Sequence, residues 1–511
     1  MKKLFIYFLV KILATGRTML LLSHNTTKLL FIPGMEKMRW NIGKLKAYAQ
    51  FDKAKNKVPA YRDFLRQNKF SKVCFKGLVP DLNTIPVTHK SNYVNKYLPH
   101  ERCIGGRIPA KGIVIDESSG STGMPCNWIR GNKERLSNKK MMEFGLAQLL
   151  GHRPKFIINA FAMGAWATGV NITMSLVDSA ILKSPGPDII KIENTLNFFG
   201  TNYNYIIMGY PPFLKALVDT AKVDWKSFNI VLIFGGEGMS EAMRCYIQSK
   251  GIKKIYSSFG ASDLELNIAS ENDFTISLRK LLGYNKMLAG KLIKYPGTLP
   301  MIFQYNPLDF YIESTVEDEL LFTLCRTGYV SPKIRYNIHD RGHVIHMWQL
   351  KEILKSCKIN LNEIIEPGND LPLLFHYGRA DMSVAYFGCK IAPADIQEVI
   401  FKIPRLADNI NSFTLSVYED ENMNKKLDLC FEQMDDRNIA FDIEEMNNLI
   451  FDELATLNQD FKESFRMVPL KDKPEVKFYK QGTGPFAGRN NKIKANYISE
   501  QKITRIPQVV T

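Results

Sequence analysis

Ten consecutive residues, Asp116-Glu117-Ser118-Ser119-Gly120-Ser121-Thr122-Gly123-Met124-Pro125, bring four hydroxyls and two glycines together. Hydroxyl donors beside unobstructed amides suit a loop that wraps phosphate oxygens, because glycine lets the main chain approach closely and take φ > 0. The stretch differs from the loop G-x-x-x-x-G-K-[ST], which sets a lysine between glycine and hydroxyl. Here Met124 follows Gly123. A polar surface turn would share this composition, so the loop gains meaning only from its neighbours.

Three further stretches could cooperate with it. Ile230-Val231-Leu232-Ile233-Phe234 reads as a buried strand ending in Gly235-Gly236-Glu237-Gly238, with a helix from Ser240 to Ser249 behind it. Strand, glycine turn, helix is the arrangement with which α/β sheets bind ligands. Phe259-Gly260-Ala261-Ser262-Asp263 sets an aromatic that can stack on a base near a carboxylate that can share Mg²⁺ with phosphate oxygens. Strand ends with solvated acids look alike. The basic, glycine-rich tail Gly482 to Lys494 is the third stretch.

The elements that must position these residues alternate between strand and helix. Lys133 to Leu150 is amphipathic, Phe156-Ile157-Ile158 and Tyr205-Ile206-Ile207-Met208 are short apolar runs suited to a parallel sheet, and Leu320 to Leu324 is β-like. Trp40 to Gln67 is helical in period and interrupted at Val58-Pro59. Beyond Tyr377-Gly378-Arg379-Ala380-Asp381, a strand over 382–386, a helix from Pro393, and strand and helix signals over 413–432 and 439–457 make a compact α+β unit.

At 511 residues the chain exceeds one hydrophobic core. Its formal charge of +17 implies anionic partners without choosing among them, and no aromatic-interleaved basic motif of the RNA-binding kind occurs. No nucleic acid partner is expected. Eight cysteines without a C-x-x-C pair fit reduced thiols in the cytosol. His339, His343 and His346 fall close together; strand alternation would put the first two on one face and the third on the other, short of a zinc set. Residues 1–35 are apolar but cut by Lys11 and Arg17, which argues against a spanning helix and for an amphipathic one. It either packs on the protein or makes a peripheral membrane contact, packing being the preferred reading. The protein is expected in the cytoplasm, with membrane association as the variant.

In this order the stretches resemble the adenylate-forming superfamily, and within it the phenylacetate-CoA ligase family. Ser118 to Pro125 looks like the phosphate loop S-S-G-T-T-G-x-P, with Ser121 for the first threonine and Met124 where lysine is common. Gly236, Glu237, Glu241, Met243 and Arg244 match G-A-E-P-W-T-E-x-M-R, and Phe259 to Asp263 is similar to Y-G-x-[ST]-E. Arg335-Tyr336, Asp340 and Gly342 resemble R-Y-x-T-G-D-x-G, with Ile338 and His339 as departures. Gly378 to Asp381 and Gly388 to Pro393 match G-R-x-D and G-x-x-I-x-P, while Val58 to Arg62 and Ile85 to Lys90 resemble V-P-x-Y-R and L-P-x-T-x-K. The similarity begins near residue 42.

The resemblance implies an α/β chain: an N-terminal extension over 1–40, a large domain over 41–378 with mixed sheets flanked by helices, and a small mobile α+β lid over 379–511. It implies that a carboxylate attacks the α-phosphate of ATP, with pyrophosphate held by the loop and Mg²⁺. Ser118, Ser119, Gly120, Ser121, Thr122, Gly123 and Glu237 would bind ATP, Phe259 would lie against adenine, Asp340 and Arg379 would fix the ribose, and Asp263 would hold the metal. Lys492, with Lys494 in reserve, would neutralise the α-phosphate, and Asp381 would be the hinge. Phe161, Met163 and Trp166 fall where the acyl pocket is expected, although such residues also serve as plain core. The acyl acceptor would be coenzyme A first, a carrier-protein thiol or an amine otherwise. A relative that binds nucleotide without turnover is the alternative from another class.

Overall fold

The computed structural model describes residues 2–118, 126–150, 154–163, 167–236, 238–295, 298–359, 364–365, 369–379, 384–386, 389–419, 425–434, 442–458, 461–462, 465, 468, 473–487 and 498–500. Its centre is an 11-stranded mixed sheet. From one edge the strands run Phe310–Ser314, Glu319–Leu324, Tyr336–Ile345, Leu373–Arg379, Met301–Tyr305, Glu265–Ser270, Lys254–Ala261, Asn229–Gly235, Asn204–Gly209, Lys155–Asn159 and Ile181–Lys183. The last five are parallel neighbours, and the pairings on the other side are antiparallel. Lys254–Ala261 belongs to both halves, and it carries Phe259.

The parallel strands are apolar throughout because both faces are covered. Phe156, Ile158, Tyr205, Ile207, Leu232 and Phe234 enter one core, with Ile192, Leu196, Leu214, Leu217, Met243 and Ile247 from helices Ile189–Phe199, Pro211–Thr220 and Glu241–Ser249. Ile157, Ile206, Met208 and Ile233, one residue out of step, enter a second core with Met142, Leu146, Ile172 and Leu176 from helices Asn132–Leu150 and Ala167–Leu176. A period of two therefore feeds two layers of helix.

Residues Ile391 to Val476 bury a core of their own. Its four-stranded sheet, in the order Glu475–Tyr479, Lys425–Gln433, Ile410–Glu419, Ile498–Glu500, packs with helices Pro393–Lys402 and Ile443–Leu457. It meets the larger part through polar and aromatic contacts: Lys215 Nζ donates to the Ala407 carbonyl at 2.6 Å, the Tyr246 hydroxyl lies 2.9 Å from both Asp219 and Asp408, and the Tyr246 ring meets Phe401 at 5.6 Å.

The N-terminal segment is part of the large fold. Helix Lys2–Leu20 packs on helix Glu36–Lys57, with Ile6 and Val10 buried and the Tyr7 hydroxyl bound to Asp52. The second helix stops where Val58 turns extended, and Pro59 opens helix Pro59–Gln67 at the position where its missing N–H costs nothing. Among the described residues no helix is long and apolar enough to cross a membrane.

Arg17 fastens the first helix. Its guanidinium donates to Ser137 Oγ at 2.9 Å and to Asp309 Oδ2 at 2.7 Å. Asp309 is 1% exposed; burial opposes its charge, yet Arg17, Arg326 and Lys46 hold its carboxyl below the usual range. Removing the nearest cation from a buried carboxylate is costly even where others remain. Arg17→Ala should therefore lower unfolding free energy by about 3 kcal/mol, read by urea denaturation, and an unchanged midpoint would contradict this role for Arg17.

Candidate functional site

Open α/β sheets bind ligands beyond the carboxyl ends of their parallel strands. Phe161 and Met163 follow the strand Lys155–Asn159, Gly236 follows Asn229–Gly235, and Asp263 follows Lys254–Ala261. Gly236 has φ 86°, and a Cβ there would meet Tyr210 Cε1 at 2.6 Å, so only glycine fits this turn. Ser240 caps the helix behind it, accepting from the Met243 N–H at 3.0 Å.

The hydroxyl-rich loop joins a β-hairpin, Ile113–Ser118 with Cys126–Gly131, whose last pair is Ser118 with Cys126. Residues 119–125, the Ser118 side chain, Glu237, Trp166, the Arg379 side chain, Asp381, Lys492 and Lys494 lie outside the described residues. The stem of the hairpin is described, and Arg130 ties it to the sheet. Its guanidinium bonds Asp116 Oδ2 at 3.2 Å and donates to the carbonyls of Ser262 and Leu264, the residues on either side of Asp263. Asn171 adds a 2.8 Å bond to Asp116 Oδ1.

Asp263 is held from two other directions. The Tyr336 hydroxyl donates to Oδ2 at 3.0 Å, and Lys90 Nζ lies 3.4 Å from Oδ1. Lys90 arrives because Thr88 adds a short bridge to the sheet: its N–H donates to the Arg335 carbonyl, and its carbonyl accepts from Asn337 N–H at 2.7 Å. Arg335 steadies the same segment through the carbonyls of Asn83 and Ile85, at 3.0 and 2.6 Å.

Trp128, in the returning strand of the hairpin, is 1% exposed and meets Tyr336 edge-on at 6.3 Å. Three cations surround its ring: Lys333 at 5.0 Å, Lys90 at 5.9 Å and Arg102 at 6.0 Å. Burial pushes Lys333 down to about 7, with Arg102 and Arg130 adding to the effect and Glu134 and Asp263 opposing it. Positive charge is thus concentrated at the stem of the hydroxyl-rich loop.

On the other side of Asp263, Phe259 is 8% exposed and packs against His376 at 4.8 Å, Phe303 at 5.7 Å and Phe322 at 6.1 Å. His376 Nε2 lies 2.9 Å from Asp340 Oδ2, and the strand register sets Asp340 opposite Arg379. The fold thereby brings Phe259, Asp340 and the backbone of Arg379 together, with His376 as a member the sequence pattern did not single out. Phe161 is 3% exposed, edge-on to Tyr210 at 4.9 Å within the core, and Met163 is 36% exposed.

The three clustered histidines have separate partners. His339 lies 3.1 Å from Glu319, His343 is buried 3.1 Å from the Leu292 carbonyl, and His346 lies 2.9 Å from Glu36 and stacks on Trp348. A register shift at Arg341/Gly342 and the left-handed backbone of His339, φ 61°, break the simple alternation. Burial pushes His343 down to about 4.

Arg130 and His376, each inside an apolar strand, and Lys333, in the connection between two strands, escape sequence reasoning because a lone cation or histidine looks like scatter until its neighbours are known. Lys333 generates a pH test. Its folded value, about 7, lies below its ordinary 10.5, so between them the unfolded chain binds the extra proton. Its contribution is fully present above the ordinary value and is lost as pH falls toward 7. Urea unfolding should show stability rising from pH 7 to 9, less steeply in Lys333→Met; identical slopes would overturn the assignment.

No protein-family model matches the chain, and no curated protein matches it in sequence. Solved structures do. A 2-hydroxyisobutyryl-CoA ligase in the postadenylation state with 2-HIB-AMP aligns at TM-score 0.64 and 14% identity, over 92% of this chain and 91% of that one. The same enzyme with R3-HIB-AMP gives 0.63 and 13%, over 92% and 94%. In the thioesterification state with 2-HIB-AMP and CoA it gives 0.51 and 14%, over 92% and 91%. At such identities the likeness concerns the fold, which is the mixed α/β architecture of these AMP-forming ligases.

Proposed function

We propose that this chain activates a carboxylic acid with ATP as an acyl-adenylate and passes the acyl group to a thiol, coenzyme A first. The observation that carries the reading is the Arg130 tie, which sets the root of the hydroxyl-rich loop against the Asp263 turn at the carboxyl edge of the parallel strands. The fold shared with AMP-forming ligases supports it.

In the first step a carboxylate oxygen attacks the α-phosphorus, the bond to the β-phosphate breaks, and pyrophosphate leaves. The acid enters already ionised, so no general base is required. Hydroxyls and amides of residues 118–123 hold the outer phosphates, and Lys90 stands at the stem to share their charge. Asp263 is a single carboxylate, which suits Mg²⁺ that keeps its waters and phosphate ligands. That ion would supply charge neutralisation on the departing phosphates. Phe259 and the Asp340–His376 pair would read the nucleoside, Glu237 and Arg379 would bind ATP with them, and Lys492 of the small lid would neutralise the α-phosphate. Residues 379–511 form that lid, turning about Asp381 once adenylation is complete. Phe161, Met163 and Trp166 would form the acyl pocket, Phe161 from within the core. In the second step the thiolate sulfur attacks the acyl carbon and AMP leaves. The resemblance to the phenylacetate-CoA ligase family makes phenylacetate one acid to test.

Exchange of labelled pyrophosphate into ATP, run over a panel of carboxylic acids with phenylacetate included, tests this directly. Acid-dependent exchange is expected, with losses of about a hundredfold or more in Lys492→Ala and Asp263→Asn. Exchange undiminished in Lys492→Ala would remove that residue from the mechanism, and no exchange with any acid would leave a nucleotide-binding relative without turnover. Added coenzyme A should then yield the thioester; hydroxylamine capture without thioester would point to another acceptor.

A further inference from the structure

The first 38 residues present an outer face that the fold leaves uncovered. Phe5, Phe8, Ile12 and Met19 are 51%, 67%, 52% and 62% exposed. On a helix of 3.6 residues per turn they fall within an arc of about 60°, opposite Ile6, Val10 and Arg17. Past the helix Leu22, Leu29, Ile32, Met35 and Met38 are also each more than two-fifths exposed. Isolated exposed apolar residues are ordinary, whereas a contiguous set marks an interaction surface.

This face cannot be hidden by rolling the segment over, because its inner side is already committed. Arg17 is paired with Asp309, and Phe31 stacks on Phe144 at 5.0 Å within a core that includes Leu30 and Leu371.

Within residues 5–38 the outward charge has one sign. Among residues 1–62 the carboxylates are Glu36 and Asp52, both buried, the first beside His346 and the second bonded to Tyr7. Asp309 and Asp370, which other segments bring close, face Arg17 and Arg39. Lys11, Lys28 and Lys37 are exposed, and Lys2 and Lys3 start the chain. Phenylalanines and aliphatics on one face, lysines along it and, among the described residues of this segment, no outward carboxylate match the interface of an anionic bilayer.

We infer that residues 1–38 dock the protein on an anionic lipid surface, lying in the interface with Phe5, Phe8, Ile12 and Met19 toward the acyl chains. The inference is independent of the catalytic reading. It assigns the N-terminal segment two roles at once: the inner face completes the fold, and the outer face selects the surface on which the protein works.

Flotation of the full chain with phosphatidylcholine vesicles, with and without phosphatidylserine, tests it. Binding is expected only to the anionic vesicles and to weaken with added salt. It should fall about tenfold or more in Phe8→Ser/Ile12→Ser and in Lys11→Glu/Lys28→Glu. These side chains are exposed, so thermal unfolding should match the parent chain. Absence of flotation with anionic vesicles overturns the proposal. So does binding that survives both double variants, and so does a self-associated parent that Phe8→Ser/Ile12→Ser turns monomeric without any vesicle binding.

Discussion

The site depends on one buried guanidinium. Arg130 sits inside a hairpin strand, bonded to Asp116 within its own hairpin and to two carbonyls of the turn that carries Asp263. A planar fork of donors can satisfy three acceptors on two different elements, which the point charge of a lysine does less well. Because the cation is buried, its bonds cannot be exchanged for water without loss, so hairpin and turn are fixed relative to each other. Asp263 and the root of the hydroxyl-rich loop therefore move as one unit. Tyr336 and Trp128 complete the unit by linking the same turn and the same hairpin through the strand Tyr336–Ile345.

That unit is joined to the rest of the molecule by a chain of buried charges. Glu265, two residues beyond Asp263, bonds Arg326 and the Tyr329 hydroxyl, the latter at 2.8 Å; Arg326 also faces Asp309, and Asp309 takes Arg17. Burial raises the Glu265 carboxyl, and Arg326, Tyr329 and Arg130 work against that rise. Buried ion pairs add little net stability, but each member becomes costly to lose once its partners are in place. The consequence is that the first helix, which reads in the sequence as an extension, is anchored to the same network as the candidate site.

The sequence reveals elements where local chemistry dictates them. Tyr205 to Met208 and Ile230 to Phe234 are apolar at every position because both faces of the parallel half are covered, and the Gly235-Gly236 turn and Ser240 cap need only near neighbours to be recognised. The helix break at Val58-Pro59 is equally local. What escapes notice is whatever depends on partners far along the chain. Arg17 meets Asp309 across 292 residues, Tyr336 reaches Asp263 across 73, and His376 meets Asp340 on a neighbouring strand. The histidines mislead for the related reason that a register shift at Arg341/Gly342 undoes the alternation on which a facial argument rests.

The same distinction accounts for the missing lysine of the loop. Met124 stands where the resemblance leads one to look for a cation, and within the loop nothing replaces it. At the stem, however, Lys90, Arg102 and Lys333 converge on Trp128 from three separate segments, and Arg130 lies beneath them in the next position but one of the strand. Phosphate responds to the summed field and not to the segment that supplies it. Holding several cations together is costly, which is why burial and Arg102 depress Lys333, and on the proposed reading a bound polyanion would relieve that cost. On the proposed reading, the charge that one loop lysine would carry is spread over the scaffold, leaving the loop itself to hydroxyls and main-chain amides. Such a loop contributes shape and directed donors, while the attraction comes from side chains whose positions the sheet has already fixed.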